Sequence, residues 1–239
     1  MKRSTQLTIS ALLTLLPNLV LATQDYYVLP QIGISMQTNK VKFELLDRVI
    51  YEPEITKERF KNTANYGAIF GKKLYDNIFI ELEVAAASNH KFNNTATINL
   101  GEGFLPLSGT YKTKLETQSV FINASYQFRD YIPEIVPYVL AGVGYSQNKI
   151  KATKLSSTER VIIRGQKTSN FAWQVGTGIL VPVTDNIDIN LSYKFRSLGK
   201  IKTGKKYDVI AVGPVESPVS LIRGNLYTSN ILVGISFKF

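Results

Sequence analysis

Residues 227–239 read Y-T-S-N-I-L-V-G-I-S-F-K-F and close the sequence. Tyr227, Ser229, Ile231, Val233, Ile235, Phe237 and Phe239 are apolar or aromatic save one serine. The residues between them, Thr228, Asn230, Leu232, Gly234, Ser236 and Lys238, are small or polar save one leucine. A period of two marks an extended strand whose two faces meet unlike surroundings. A soluble sandwich shows the same alternation, but its apolar strands seldom finish a chain without a polar extension. The expectation is therefore a strand with one face in lipid.

Seven further segments alternate in the same way. They cover about residues 26–37, 64–74, 78–88, 114–128, 137–147, 170–183 and 187–198. The clearest is the last, where Ile187, Ile189, Leu191, Tyr193 and Phe195 interleave with Asp188, Asn190, Ser192, Lys194 and Arg196. Short turns at 75–77, 129–136 and 184–186 carry Asp, Asn or Pro. Long polar loops are expected at 38–62, 89–113, 148–169 and 199–224. Strand, long loop, strand and short turn thus repeat, with an even strand count that brings both ends to one side. The fold class expected is all-β, a transmembrane eight-stranded antiparallel up-and-down β-barrel. A lipocalin-like barrel also has eight strands, but it turns its apolar face inward. Here the inward set is Gln, Glu, Asp, Asn, Lys and Arg. Strand 227–239 is expected to close the ring against 26–37. Aromatics near strand ends (Tyr26, Tyr66, Tyr75, Phe128, Tyr131, Tyr138, Tyr145, Phe171, Phe195, Tyr227, Phe239) suit a membrane interface.

The first residues read as a removable export signal. Lys2 and Arg3 form a basic start, 7–21 is mostly apolar, and Val20-Leu21-Ala22 is a small-residue cleavage site. The run is too short for an anchor, and Pro17 interrupts it. Cleavage after Ala22 leaves 23–239 as the barrel. The net charge of +10 then falls to +8 with Lys2 and Arg3 gone. Cysteine is absent, so closure of the strand ladder must stabilise the exported chain without disulfides. A basic chain invites a nucleic-acid reading, but the charge lies mainly in loops and on no recognisable module.

Six charged residues fall on the expected lumen face: Glu81, Glu83, Asp188, Lys194, Arg196 and Lys238. Paired acids two apart can do acid–base work. An eight-stranded lumen is narrow and filled by side chains, where buried charges must pair, so a salt-bridged plug is the expectation. His90, the single histidine, sits at a strand end beside Asn89 and Lys91, with Ser88 on the same strand; no catalytic triad follows. No His/Cys spacing suggests a metal. Gly101-Glu102-Gly103 lacks the context of a phosphate loop. No cofactor and no catalysis are expected.

The loops differ in charge. Loop 38–62 carries a net +1, 148–169 a net +5 and 199–224 a net +3. Lys151, Lys154, Arg160, Arg164 and Lys167 in one loop, and Lys202, Lys205 and Lys206 in another, are the candidate ligand-binding residues. Cations near a membrane attract anionic headgroups; an anionic host polymer or a heparin-binding serum protein is the other candidate ligand.

The terminal stretch resembles the last strand of bacterial outer-membrane barrels, in which a C-terminal Phe and the alternating apolar residues before it are read by the barrel assembly machinery. Phe239, Phe237, Ile235 and Val233 fill those places. With the signal and the strand rhythm, the chain is similar to the OmpA/OmpX/opacity-protein class. Its Lys-, Asn-, Ile- and Tyr-rich style is similar to rickettsial surface antigens, a family that includes adhesin barrels capturing the serum protein vitronectin. The resemblance implies a monomeric protein of the Gram-negative outer membrane whose loops face the exterior and act as an adhesin. The alternatives are a small hydrophobic-solute transporter of the OmpW type, which needs a side opening or an apolar lumen, and a purely structural barrel.

Overall fold

A computed structural model describes residues 25–43, 56–58, 60–98, 107–129, 134–155, 161–204, 206–209, 213–216 and 222–239. The expected signal segment lies outside them. Fourteen strands form the described elements: β1 (Tyr26–Gln37), β2 (Val41–Phe43), β3 (Thr56–Glu58), β4 (Thr63–Tyr75), β5 (Ile78–Ile98), β6 (Leu107–Gln127), β7 (Val136–Ile150), β8 (Thr153–Leu155), β9 (Val161–Ile163), β10 (Gln166–Thr184), β11 (Ile187–Lys202), β12 (Lys206–Val209), β13 (Gly213–Glu216) and β14 (Ile222–Lys238).

Antiparallel pairing of β1 with β4, β4 with β5, β5 with β6, β6 with β7, β7 with β10, β10 with β11, β11 with β14 and β14 with β1 closes a ring. Eight long strands therefore make the barrel. The seam is β1 against β14, as the terminal stretch implies: Ile32 faces Val233, Ile34 faces Ile231 and Tyr27 faces Lys238. Reciprocal backbone bonds tie the ends together. Tyr26 N–H donates to the Phe239 carbonyl at 3.1 Å, and Phe239 N–H to the Tyr26 carbonyl at 2.9 Å. Closure leaves no unpaired edge in lipid, the condition any β structure must meet to cross a bilayer.

The outer face is the apolar one. Ile231, Val233, Ile235 and Phe237 are exposed on β14, while Leu232, Asn230 and Thr228 are buried. Ile78, Ile80, Leu82 and Val84 on β5 and Ile189, Leu191 and Tyr193 on β11 continue the belt. Tyr66, Tyr145 and Phe171 stand exposed at its outer margin, where aromatic rings favour the interface. Tyr138 departs from the expectation. It is buried at 5% exposure, and Asn190 donates to its hydroxyl at 2.9 Å. Its place in the alternation, between Pro137 and Val139, turns it into the lumen. Tyr131 lies outside the described residues.

Among the described residues, much of the expected long loops is strand. β5 and β6 are 21 residues each, about 70 Å of chain at a rise of ~3.3 Å per residue, far more than the belt requires. They pair down to Ile98 and Leu107, well beyond the expected ends at 88 and 114. β8, β9, β12 and β13 extend this sheet outward, and β2 and β3 extend from β14. Once a ladder leaves the membrane, backbone pairing continues while the apolar-out alternation fades, so composition there reads as loop.

Two bulges mark the level where the outer extension begins, between Ala87 and His90 on β5 and between Ser197 and Lys200 on β11. Each extra residue re-aims the side chains that follow. In β11 the bulge contains Gly199, in the left-handed region at φ 72°. Asn170 brackets it: its Oδ1 accepts from Lys200 N–H at 3.0 Å, and its Nδ2 donates to the Lys200 carbonyl at 3.0 Å.

Candidate functional site: a plugged lumen beneath a cationic outer face

The middle of the lumen is an ionic knot. Glu83 from β5 meets Lys194 and Arg196 from β11, with Lys194 Nζ 3.0 Å and Arg196 Nη2 2.6 Å from Glu83 Oε1. All three side chains are buried. Neutral donors complete the carboxylate: Gln31 Nε2 at 2.7 Å, Gln174 Nε2 at 2.7 Å and Asn123 Nδ2 at 3.2 Å. Arg196 Nε donates to Gln174 Oε1 at 2.9 Å, and its guanidinium lies 5.6 Å from the Phe121 ring centroid. Such saturation is what lets buried charges persist.

Glu81 lies on the same face but outside the knot. It accepts from Tyr27 Oη and Ser125 Oγ, each at 2.6 Å, and from Asn123 Nδ2 at 3.3 Å. Lys238 donates to Asp188 at 2.9 Å at the end where Tyr26 pairs with Phe239. The six charges expected in the lumen thus divide into one three-member knot, one pair and one neutral-donor site.

Apolar packing closes the lumen beyond the knot. Val41, Phe60, Phe92, Leu115, Phe121, Ile150, Leu198, Ile201, Ile222 and Leu226 form one buried cluster in the outer half. Tyr27, Leu29, Ile69 and Phe79 fill part of the other end. His90 belongs beside the outer cluster. Strict alternation puts it on the face of Ser88, but the bulge at Ala87/His90 turns it inward. It is 1% exposed, and Nδ1 donates to the Lys61 carbonyl at 3.1 Å. Burial holds its pKa below the ordinary 6.5, partly offset by that bond. Among the described residues no group of three or more His, Asp or Glu could hold a metal.

The candidate ligand residues that fall among the described residues lie on the outer extension. Lys151 follows β7, exposed, with Nζ 2.6 Å from Glu116. Lys167 is exposed on β10 and Lys202 at the end of β11. Arg164 is exposed just before β10, and its carbonyl accepts from Gly204 N–H at 3.0 Å. Lys154 on β8 is in register with Lys112 on β6. Lys206 on β12 is in register with Glu216 on β13. Arg160 and Lys205 lie outside the described residues.

Strand pairing adds a row that residue spacing does not reveal. Lys202 on β11 is in register with Arg223 on β14, Arg223 with Lys42 on β2, and Lys42 with Lys57 on β3. These positions stand far apart in the chain, and only their register brings them into line.

A closed ring with an apolar exterior and a packed, charge-paired interior defines a small outer-membrane barrel. The chain belongs to the outer membrane protein beta-barrel domain family, whose pattern matches residues 8–239. It is 25% identical over 167 residues to outer membrane protein PagN of Salmonella typhimurium strain LT2, covering 67% of this chain and 68% of that one. In fold it is similar to Neisserial surface protein A, with a TM-score of 0.51 and 13% identity over 90% of this chain and 97% of that one. It is similar also to the outer membrane protease OmpT of Escherichia coli, with a TM-score of 0.55 and 9% identity over the same shares. At those identities the likeness is one of fold. The protein is thus located in the outer membrane of a Gram-negative bacterium, with its long strand extensions outside the cell.

Proposed function

We propose that the protein is a non-enzymatic surface adhesin, binding an anionic host ligand through its basic outer face. The observation that carries this is the in-register row Lys57, Lys42, Arg223 and Lys202 across four adjacent strands. Backbone register sets four basic residues in line across adjacent strands of the outer extension, an arrangement that suits a polyanion laid across them. Lys151, Arg164 and Lys167 are exposed on the same extension, and the reading includes Lys154, Arg160, Lys205 and Lys206 for their charge. The ligand class is a sulfated glycan or a heparin-binding serum protein of the vitronectin kind. The inward, buried setting of His90 supports a role without catalysis, and the saturated knot around Glu83 supports a plug rather than an acid–base centre.

Export with cleavage after Ala22, recognition of Phe239, Phe237, Ile235 and Val233 by the assembly machinery, and action as a monomer without cofactor complete this reading. Intact mass of protein recovered from outer membranes tests the cleavage; retention of residues 1–22 overturns it. The adhesin reading is tested by binding of the protein in vesicles to immobilised heparin and to vitronectin as salt is raised. Electrostatic contact weakens steeply across the range in which the Debye length shrinks from ~10 Å to ~3 Å. Binding that ignores salt overturns it.

A further inference from the structure

The short-turn end of the barrel, where Tyr26 pairs with Phe239, holds a cavity of about 190 Å³ in the mouth of the lumen. Tyr27 and Phe79 line it, meeting edge to face with ring centroids 5.9 Å apart. Gly71 makes room for this floor, because a Cβ there would collide with the Tyr27 ring. The Tyr27 hydroxyl donates to Glu81, deeper in the lumen, at 2.6 Å.

Two cations stand beside the aromatic floor. Alternation along β4 turns Lys72 outward, with its ammonium 5.2 Å from the Tyr26 ring centroid, and turns Lys73 into the mouth. Lys73 is in register with Phe79. Arg129, just past the end of β6, holds its guanidinium 5.5 Å from the centroid of the same Phe79 ring. Its Nε and Nη2 both donate to Gln127 Oε1, at 3.0 and 2.6 Å. That amide fixes the guanidinium without neutralising it. Lys73 has Asp76 at 3.5 Å, but the acid is fully exposed, where an ion pair counts for little. The far wall is different: Asp188 is matched by Lys238 at 2.9 Å, and both are mostly buried. The charged residues of the lining are Lys73, Arg129 and Lys238 against Asp25 and Asp188. Positive charge is therefore in excess, and it is concentrated on the side of Phe79.

We infer that this mouth binds the C-terminal end of a periplasmic peptide, with the free carboxylate on Arg129 and Lys73 and an apolar last side chain against Phe79 and Tyr27. A guanidinium held in one orientation suits a carboxylate, which it can meet through two parallel bonds. Capture of a chain terminus by its carboxylate is a general mode of peptide recognition. Size favours a chain end. Sites that enclose a whole small molecule run to about 300–1,000 Å³, and this cavity is smaller, so the rest of the peptide stays outside the barrel. A polyanion lacks the apolar side chain that the aromatic floor would cover. Lys73, Phe79 and Arg129 lie at the opposite end of the barrel from Lys202 and Arg223 and take no part in the adhesin reading, so either proposal can fail alone.

The experiment uses the folded protein in phosphatidylcholine nanodiscs, which leave both mouths open to solution. The probe is a fluorescein-labelled peptide ending in Gly-Gly-Leu with a free carboxylate, and anisotropy is the readout. The expected result is saturable binding, weakened about tenfold or more when Lys73 and Arg129 are changed together to Gln. The same peptide ending in a carboxamide should bind weakly by a similar factor. A peptide ending in Gly-Gly-Gly should also bind less well, since it has no side chain for the floor. Free leucine and acetate should compete poorly. Lys202→Glu with Arg223→Glu, at the other end of the barrel, should leave binding unchanged. Lys73 is half-buried at the rim and Arg129 is exposed, so the heat-modifiable gel mobility of the folded barrel should not change in the Gln variant. Absence of saturable binding, equal binding by wild type and the Gln variant, equal binding of the carboxamide, or displacement by free leucine as effective as by unlabelled peptide would each overturn the proposal.

Discussion

Lys194 Nζ lies 3.0 Å from Glu83 Oε1, with both side chains at 0% exposure in the middle of the barrel. Arg196 reaches the same oxygen at 2.6 Å. One carboxylate therefore holds two cations, and Gln31, Gln174 and Asn123 donate to it as well. Replacing Glu83 by Gln strands both cations. The expected cost is about 3–5 kcal/mol, typical of breaking a buried pair from one side. Urea titration of the heat-modifiable folded form measures it. A double change, Glu83→Gln with Lys194→Met, should recover part of the loss, because it removes one of the stranded charges. A double variant no more stable than the single one would show that the two residues do not act as a pair.

The same knot, with the apolar cluster around Phe92 and Phe121 beyond it, blocks the lumen. In planar bilayers the purified protein should show no large, stable open level. Changing Glu83, Lys194 and Arg196 together to Ala should open a water path past mid-barrel and raise the frequency of conducting events, since narrow barrels are sealed by the side chains that fill them. A steady, large wild-type conductance would remove the plug from the account.

His90 makes the outer cluster sensitive to acid. It lies past the belt, buried beside Phe60 and Phe92 with one bond to the Lys61 carbonyl, and burial lowers its pKa below 6.5. In the unfolded chain the imidazole binds its proton first as pH falls, so the unfolded state binds more protons than the folded one below 6.5. Stability is fully present above that value and declines as pH drops from it toward the lower folded pKa. Protection factors in β5 and β6, which take out the intrinsic slowing of exchange by acid, should therefore fall between neutral and mildly acidic pH. His90→Gln should flatten that dependence whatever it does to absolute stability. An unchanged slope in the variant would assign the effect to another group.

The seam between β1 and β14 has a point of close backbone approach. A Cβ placed on Gly33 would meet the Ile231 carbonyl, on a strand pair whose register joins Gly33 to Leu232. Gly33→Val should strain closure by roughly 1–3 kcal/mol, the usual range for overpacking, and lower the fraction of barrel reaching the folded form. Ile32→Val, one residue away on the lipid face at 59% exposure, should have little effect. Equal assembly of the two variants would show that the seam tolerates a side chain there.

How much of this was legible beforehand depends on what surrounds each residue. Ile231, Val233, Ile235 and Phe237 alternate cleanly because lipid on one side and a polar lumen on the other impose contrast on every second position. Glu83 and Lys194 were legible as lumen charges, since only the inner face of a barrel hides such groups. Glu81 was legible as lumen but not in its partners: two residues along a strand is a displacement of ~7 Å, enough to exchange Lys194 and Arg196 for Tyr27 and Ser125. Beyond Ala87 the contrast vanishes. The bulge there reverses the inward and outward sense of His90, and no residue type announces it. Lys57, Lys42, Arg223 and Lys202 line up through the pairing of four strands, a relation between distant segments that one-dimensional periodicity does not carry.

That row yields the sharpest test of surface chemistry. Lys202 and Arg223 are exposed and in register, at the end of the barrel away from the knot. Reversing both to Glu should invert the local field without touching the lumen, so folding and gel mobility should match wild type. Lys202→Glu with Arg223→Glu should cut retention on immobilised heparin by about tenfold or more at physiological salt, where fields still reach ~8 Å. The matching reversal of Lys151, Lys154, Arg160 and Arg164 measures what the neighbouring extension adds, and the two reversals should combine if one polymer spans both. Replacing Lys202 and Arg223 by Gln should give an intermediate loss, because it removes attraction without adding repulsion. If reversal, neutralisation and wild type all retain heparin and vitronectin equally, the outermost row is not the contact surface, and the adhesin reading loses the observation that carries it.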